Sequence, residues 1–347
     1  MNNAFSRATA ALLAVLCLVA CHRRPLFDPS ELIRISVEVD VDNISNVTCD
    51  IYNPDPNLVT KSVSTDMMRV MVYDPDNDKL LTQSFISEKS VNEKGHEILS
   101  GTLEIGSGEF DILAYNFDTP DTYVRDENNQ NTITAYTDEI PAALREQYLT
   151  KATDFSALKA YYDPDHFFVA QVKDYHIGLH DTLVVIKALA PTIVDTYYIQ
   201  IPVVGLPAGT RASGVISGLS PANAFGTKTR SSDASGVYFE MITSTDEHLT
   251  TESKDVLCGI FSTFGKLDAS SSDVRFTVGL SDAEGNFYQK DVNLDLIFKT
   301  ADAIEHHWLL IDDVWEFDVP DPTPGTSGGG FQPEVDNWEQ EEGGIAL

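Results

Sequence analysis

The residue best placed to do chemistry is Cys21, because of what precedes it. Leu18-Val19-Ala20-Cys21 closes an apolar stretch running from Ala10 to Ala20, Arg7 gives it a positive start, and His22-Arg23-Arg24 follows. That order is the pattern of a bacterial secretory signal, and its last four residues look like a lipobox. The chemistry implied is lipidation: the Cys21 sulfur takes a diacylglycerol and Cys21 becomes the mature N-terminus. The apolar run is about half of the ~20 residues a spanning helix needs. Anchoring would therefore come from acyl chains of the palmitate type, each buried methylene contributing roughly 0.8 kcal/mol.

The other chemistry-bearing residues make weaker patterns. Asp74, Asp76 and Asp78 have the spacing that opens a calcium loop, but position six is Lys79 rather than Gly and position twelve is Phe85 rather than Glu. A solvated turn is the expectation there. His176 and His180 are four apart, yet Ile177-Gly178-Leu179 between them favours strand or turn, and His306-His307 would point to opposite faces of a strand. Neither pair is expected to hold a metal. No Gly-x-Ser-x-Gly elbow, phosphate loop or dinucleotide fingerprint is present. The expectation is a chain without catalysis and without a cofactor. Cys49 and Cys258 could pair in an oxidising compartment; a domain boundary between them favours two isolated thiols.

The elements that would carry these residues are mostly strands. Ile33, Ile35, Val37, Val39 and Val41 alternate with Arg34, Ser36, Glu38, Asp40 and Asp42, which means one buried and one wet face. Met67–Tyr73 and Leu80–Ile86 follow, joined at Asp74-Pro75-Asp76-Asn77-Asp78, a turn. Leu103–Ile105 and Phe110–Asn116 make another pair. Residues 117–165 are polar; Pro141 could open a helix through Tyr148, and Ala157–Tyr162 could add another turn, so a small helical insertion is expected. Strand patterns resume at Phe167–Val172, Leu183–Ala188, Tyr197–Val204, Val215–Leu219, Val237–Ile242, Val256–Phe264, Val274–Leu280, Phe287–Leu296 and Trp308–Phe317. Short strands with frequent turns imply an all-β chain of two tandem β-sandwiches. The divisions expected are a signal peptide at 1–20, a lipidated spacer at 21–31, sandwiches at 32–177 and 178–318, and an acidic Gly/Pro-rich tail at 319–347.

Charge narrows the partners. Lys and Arg number 23 against 54 Asp and Glu, a formal −31. Such a chain is ill suited to nucleic acid, whose phosphates need cationic partners.

Several short segments resemble the fimbrial anchor lipoproteins of the Bacteroidota. They are the lipobox with Cys21-His22-Arg23-Arg24-Pro25-Leu26, then Gly108-Glu109-Phe110-Asp111-Ile112-Leu113-Ala114-Tyr115-Asn116, Ile216-Ser217-Gly218-Leu219 and Ser262-Thr263-Phe264-Gly265. The terminal Gly328-Gly329-Gly330-Phe331 with Val335-Asp336-Asn337-Trp338-Glu339 resembles tails of related lipoproteins. The resemblance implies transthyretin-like sandwiches, a lipid anchor in the outer membrane at the cell surface, and pilins as partners through strand addition. The competing expectation is a surface glycan-binding lipoprotein of a polysaccharide-uptake system, with Tyr161-Tyr162, Tyr197-Tyr198 and Trp338 as candidate sugar-stacking aromatics.

Overall fold

A computed structural model describes residues 32–40, 58, 61, 65–149, 159–178, 184–206, 209–231, 235–267, 273–283 and 287–316. The described chain is predominantly β. Its N-terminal part holds β1 (Leu32–Asp40), β2 (Met68–Tyr73), β3 (Leu80–Ile86), β4 (Glu88–Val91), β5 (Glu97–Glu104) and β6 (Gly108–Asn116). Then come β7 (Tyr123–Arg125), β8 (Thr134–Tyr136), helix α1 (Ala142–Leu149), β9 (Lys159–Tyr162), β10 (Val169–Ile177) and β11 (Val184–Pro191).

Two four-stranded sheets, ordered β11-β1-β5-β4 and β10-β6-β2-β3, pack face to face. Met68, Val70, Val72, Leu99, Leu103, Phe110, Ile112, Phe168 and Ile186 fill the space between them. The second of these sheets is covered on both faces. Alternate residues of β2 and β6, namely Met71, Tyr73, Leu113 and Tyr115, enter a separate core with Phe167, Phe225 and Phe264. This is why β2 and β6 read as nearly continuous apolar runs, whereas the rim strand β3 alternates. β3 turns at Ser87 into β4, so one strand path passes from one sheet to the other and closes that side of the sandwich.

Val184–Pro191 lies beyond the join expected at 177/178, yet it runs parallel to β1 from Ile33↔Val184 to Asp40↔Pro191. The crossing to the C-terminal part falls at 192–194, just before β12. Its alternating pattern is equally at home in either sandwich; the long-range parallel pairing decides.

The C-terminal part holds β12 (Asp195–Val204), β13 (Arg211–Ser217), β14 (Ala222–Ala224), β15 (Thr229–Arg230), β16 (Ser235–Thr245), β17 (Asp255–Thr263), β18 (Arg275–Ser281) and β19 (Phe287–Asn293). A short 3-10 turn, helix α2 (Ala301–Glu305), β20 (Trp308–Leu310) and β21 (Trp315–Glu316) complete it. β16 serves two sheets: residues 236–241 pair with β13, and residues 242–245 pair with β17. The two halves enclose Ile199, Ile201, Ile216, Phe239, Leu257, Phe261, Phe276, Val278 and Leu309. Phe239 sits at the centre, stacked on Phe261 at 4.9 Å and on Phe276 at 5.9 Å between ring centroids.

The insertion at 117–165 differs from the small helical piece expected. Among its described residues one helix is present, close to the span predicted from Pro141, but Lys159–Tyr162 is strand β9, not helical turn. β9 pairs parallel with β16, from Ser235↔Lys159 to Tyr238↔Tyr162. β7 and β8 form half of a four-stranded sheet ordered β15-β14-β8-β7. Its central contact, Ala222↔Tyr136 and Asn223↔Ala135, joins the N-terminal insertion to the C-terminal part. Four residues are too few to show alternation, so these strands leave no mark in the sequence.

Candidate assembly edges and the sandwich junction

Cys21, the one site residue named from the sequence, lies outside the described residues, as do the spacer and the tail after Glu316. What the structure offers for assembly is its sheet rims. An open rim presents unpaired backbone groups and is either protected or used. β4 carries protection by charge: Lys89 pairs with Asp66 at 2.6 Å and Glu97 at 2.8 Å. β10 is interrupted by a bulge between Val172 and Tyr175, where Asp174 adopts a positive φ of 51° and its N–H donates to Asp111 Oδ1 at 2.8 Å. A bulge of this kind twists a rim away from regular pairing. β11 ends its sheet with an unbroken register against β1, and it turns Val185 and Leu189 to solvent at 45% and 52% exposure. β3, the fourth rim, also turns Leu81 and Phe85 to solvent, at 52% and 49%, but its register against β2 shifts at Tyr73, so among the described rims of the N-terminal sandwich β11 is the long one whose pairing runs unbroken.

The segments that carried the resemblance converge on the junction between the two parts. Tyr115 is fully buried, with its ring 5.7 Å from Phe167 and 5.2 Å from Phe225. Its hydroxyl donates to Glu127, which also pairs with Arg69. Burial first, and then this hydrogen bond, push the phenol far above its ordinary range. Asn116 donates to the His166 carbonyl at 3.0 Å and accepts from the Phe168 N–H at 2.7 Å, tying β6 to the chain that enters β10. Gly218 and Gly265 both hold positive φ, +82° and +103°. They let two loops exchange backbone bonds: Ser220 N–H to the Gly265 carbonyl at 2.9 Å, and Leu267 N–H to the Gly218 carbonyl at 3.0 Å. Tyr115 and Phe264 thus meet in the core shared by the two parts, while Asn116 braces the N-terminal side and the two glycine loops brace the C-terminal side.

A partly buried charge cluster lies beside them. Lys61 Nζ sits 3.2 Å from Asp121, 3.2 Å from Asp163 and 3.7 Å from Asp165, and donates to the Asp163 carbonyl at 2.6 Å. Burial would lower the Lys61 pKa, but the three carboxylates outweigh it and hold the ammonium charged. Asp163 is pushed up to about 6, chiefly by burial, with Lys61 pulling the other way. Burial lowers the neighbouring His166, and its Nδ1 has no hydrogen-bond partner. Sequence reading passed over this cluster because its members come from three segments; Asp163-Pro164-Asp165-His166 in a polar insertion was its only local trace.

The remaining candidates take structural places. Asp74 accepts from the Asp76 N–H at 2.9 Å and from Asn77 Nδ2 at 2.7 Å, so its carboxylate organises the turn itself. His176 stands on β10, and His180 lies outside the described residues. His306 stacks on Trp308 at 4.5 Å, whereas His307 stacks on Tyr197 at 4.7 Å and reaches the Thr196 carbonyl at 3.2 Å. Among the described residues no group of three or more His, Cys, Asp or Glu is arranged to hold a metal ion, and no helix is long and apolar enough to cross a membrane. Cys258 is buried beside Tyr198, Val256 and Trp308; Cys49 lies outside the described residues. Of the aromatics considered for sugar stacking, Tyr198 is buried, Tyr197 packs on Phe261 at 5.6 Å, and Tyr162 meets Tyr238 edge-on at 6.3 Å. These rings form packing contacts rather than an exposed platform.

The chain is 21% identical over 367 aligned positions to a candidate fimbrium anchoring subunit, Fim4B, of Bacteroides ovatus, covering 99% of this chain and 98% of the relative. The fold matches the crystal structure of a candidate adhesin from Bacteroides ovatus with a TM-score of 0.57 at 17% identity, over 87% of this chain and 98% of that one. The fimbrial anchor protein Mfa2 from Porphyromonas gingivalis aligns with a TM-score of 0.46 at 11% identity, over 80% of this chain and 89% of that one. A family model described as a domain of unknown function, DUF5119, matches residues 55–240. That span takes in most of the N-terminal sandwich, the whole bridging insertion and the first half of the C-terminal part, so the chain belongs to the DUF5119 family.

Proposed function

We propose that this protein is a non-catalytic, lipid-anchored subunit of fimbriae, an anchor or assembly subunit of the outer membrane. The acyl chains on Cys21 hold it to the membrane, and pilin-type subunits join it by adding a strand to an open sheet rim. The observation that carries this reading is the end-to-end alignment with a candidate fimbrium anchoring subunit, which includes the lipobox, both sandwiches and the tail. The regular β11 rim supports it: its backbone groups supply affinity to an added strand, and Val185 and Leu189 offer alternate apolar contacts that set register.

The test has two arms. Cys21→Ser protein should leave the membrane fraction after a carbonate wash; retention would remove the lipid anchor from the proposal. Tagged full-length protein, crosslinked mildly in native outer membranes and purified, should bring down pilin-like β-sandwich proteins in stoichiometric amount. Polysaccharide-uptake porins and glycosidases in their place would replace the fimbrial role with the glycan-binding one.

A further inference from the structure

A cleft of about 440 Å³ opens at the junction, between the end of β11 and the β14–β15 hairpin. Its size lies within the roughly 300–1,000 Å³ of small-molecule sites. Three features separate it from an incidental gap. Lys228 and Arg230 face a single carboxylate, Asp195, across it, so its lining is net cationic in a chain of formal charge −31. The side chain of Asn223, also in the lining, is 7% exposed, and its Oδ1 has no hydrogen-bond partner. A buried amide oxygen without a donor costs free energy, so a donor is expected to meet it. The third feature is an apolar wall formed by Ile193 and Leu189.

The cleft is also held in shape. A Cβ on Gly226 would come within 1.8 Å of the Gln130 carbonyl oxygen, so the hairpin is pressed against the bridging insertion. The same residue's carbonyl accepts from Gln171 Nε2 at 3.1 Å. Arg230 donates from Nε to the Phe264 carbonyl at 2.9 Å and from Nη1 to the Lys266 carbonyl at 3.4 Å, while packing against Gly265. Lys228 has a positive φ of 59°, and no carboxylate among the described residues forms an ion pair with it. The residue is exposed and lines the cleft.

We infer that this cleft binds an acidic sugar: a pyranose bearing a carboxylate. The carboxylate meets Lys228 and Arg230, a ring hydroxyl donates to Asn223 Oδ1, a second donates to Asp195, and the C–H face lies on Ile193 and Leu189. Few other small ligands combine an anion, several donors and an apolar face within one ring.

The probe is D-galacturonate, followed by saturation-transfer NMR on the purified full-length protein, with D-galactose and acetate as comparisons. Galacturonate should bind at least about tenfold more tightly than either, the scale of one charge-assisted hydrogen bond. Lys228→Glu should abolish the response while leaving the thermal midpoint unchanged, and Lys228→Arg should retain it. Asn223→Leu should weaken galacturonate binding; if that variant does not fold, the Lys228 arm decides. No transfer to galacturonate, an equal response to galactose, an equal response to acetate, or binding indifferent to Lys228→Glu would each overturn the assignment.

Discussion

Tyr115→Ala tests whether the junction makes one cooperative body of the two sandwiches. The ring is fully buried between Phe167, from the N-terminal part, and Phe225, from the C-terminal part. Truncating a buried aromatic to Ala costs about 3–5 kcal/mol, counting lost transfer energy and the cavity left behind. Against a typical stability of about 5–15 kcal/mol, that is a large fraction, and for parts of this size it corresponds to roughly 6–20 °C in melting temperature. Glu127 keeps Arg69 as a partner, so the loss reports packing rather than an orphaned charge. Native protein should melt in one calorimetric endotherm. The variant should melt in two, with new protease cleavage in the 117–165 insertion. Phe239→Ala is the control of equal size: its ring lies inside the C-terminal core, stacked on Phe261 and Phe276, so that lesion should lower the C-terminal half without opening the junction. A single endotherm for Tyr115→Ala within about 2 °C of native would refute the coupling argument, since a lesion of this kind at a true coupling contact must shift the midpoint by more.

The Lys61 cluster gives a pH-dependent prediction. Burial pushes the Asp163 carboxyl up to about 6 in the folded state, well above the usual carboxylate range near 4. Its contribution to stability is therefore present below about pH 4 and lost as pH rises through about 6. Lys61→Met removes the ammonium from three carboxylates and should cost about 1–3 kcal/mol at pH 8, below the scale of breaking a fully buried pair because Lys61 is partly and Asp121 largely exposed. The loss should be smaller at pH 5, where Asp163 is protonated; urea unfolding at both pH values checks this, and a loss that grows on acidification would contradict it. Asn116→Ala leaves the Phe168 N–H and the His166 carbonyl without their partner and should cost about 2–6 kcal/mol in the same assay, from about 1–3 for each buried group left unsatisfied.

What could be read from the sequence follows from how far each signal reaches. β1 and β3 alternate apolar and polar residues along the sequence, and the bounds expected for both lie within a residue or two of those found; in β3 the alternation is matched by alternating burial. β2 and β6 were also found, although both their faces are covered, because an apolar run between turns marks a buried strand. The insertion was misjudged for an equally physical reason. β7, β8 and β9 have three or four residues each and are held by partners as distant as Asn223 and Tyr238, so nothing local specifies them. The Tyr115-Asn116 segment was noticed as a resemblance, but its task became clear only when the rings of Phe167 and Phe225 arrived beside it. The cleft at Asn223 was invisible in sequence, because its walls come from a strand end near 189–195 and a hairpin thirty residues later, with no spacing rule to connect them.

The placement of β1 has a mechanical consequence. It begins at Leu32, close after the segment that would carry the lipid, and it lies inside its sheet, flanked on one side by β11 in parallel and on the other by β5 in antiparallel register. A molecule held by its N-terminus and tugged from elsewhere would feel the load along the axis of this strand. The ladder bonds on both flanks stand across that direction. They would have to slide and break together rather than peel away one at a time. Strands loaded in this way resist far larger forces than strands pulled open from one end, and a tether exposed to flowing fluid would gain its grip from geometry, without any additional bond.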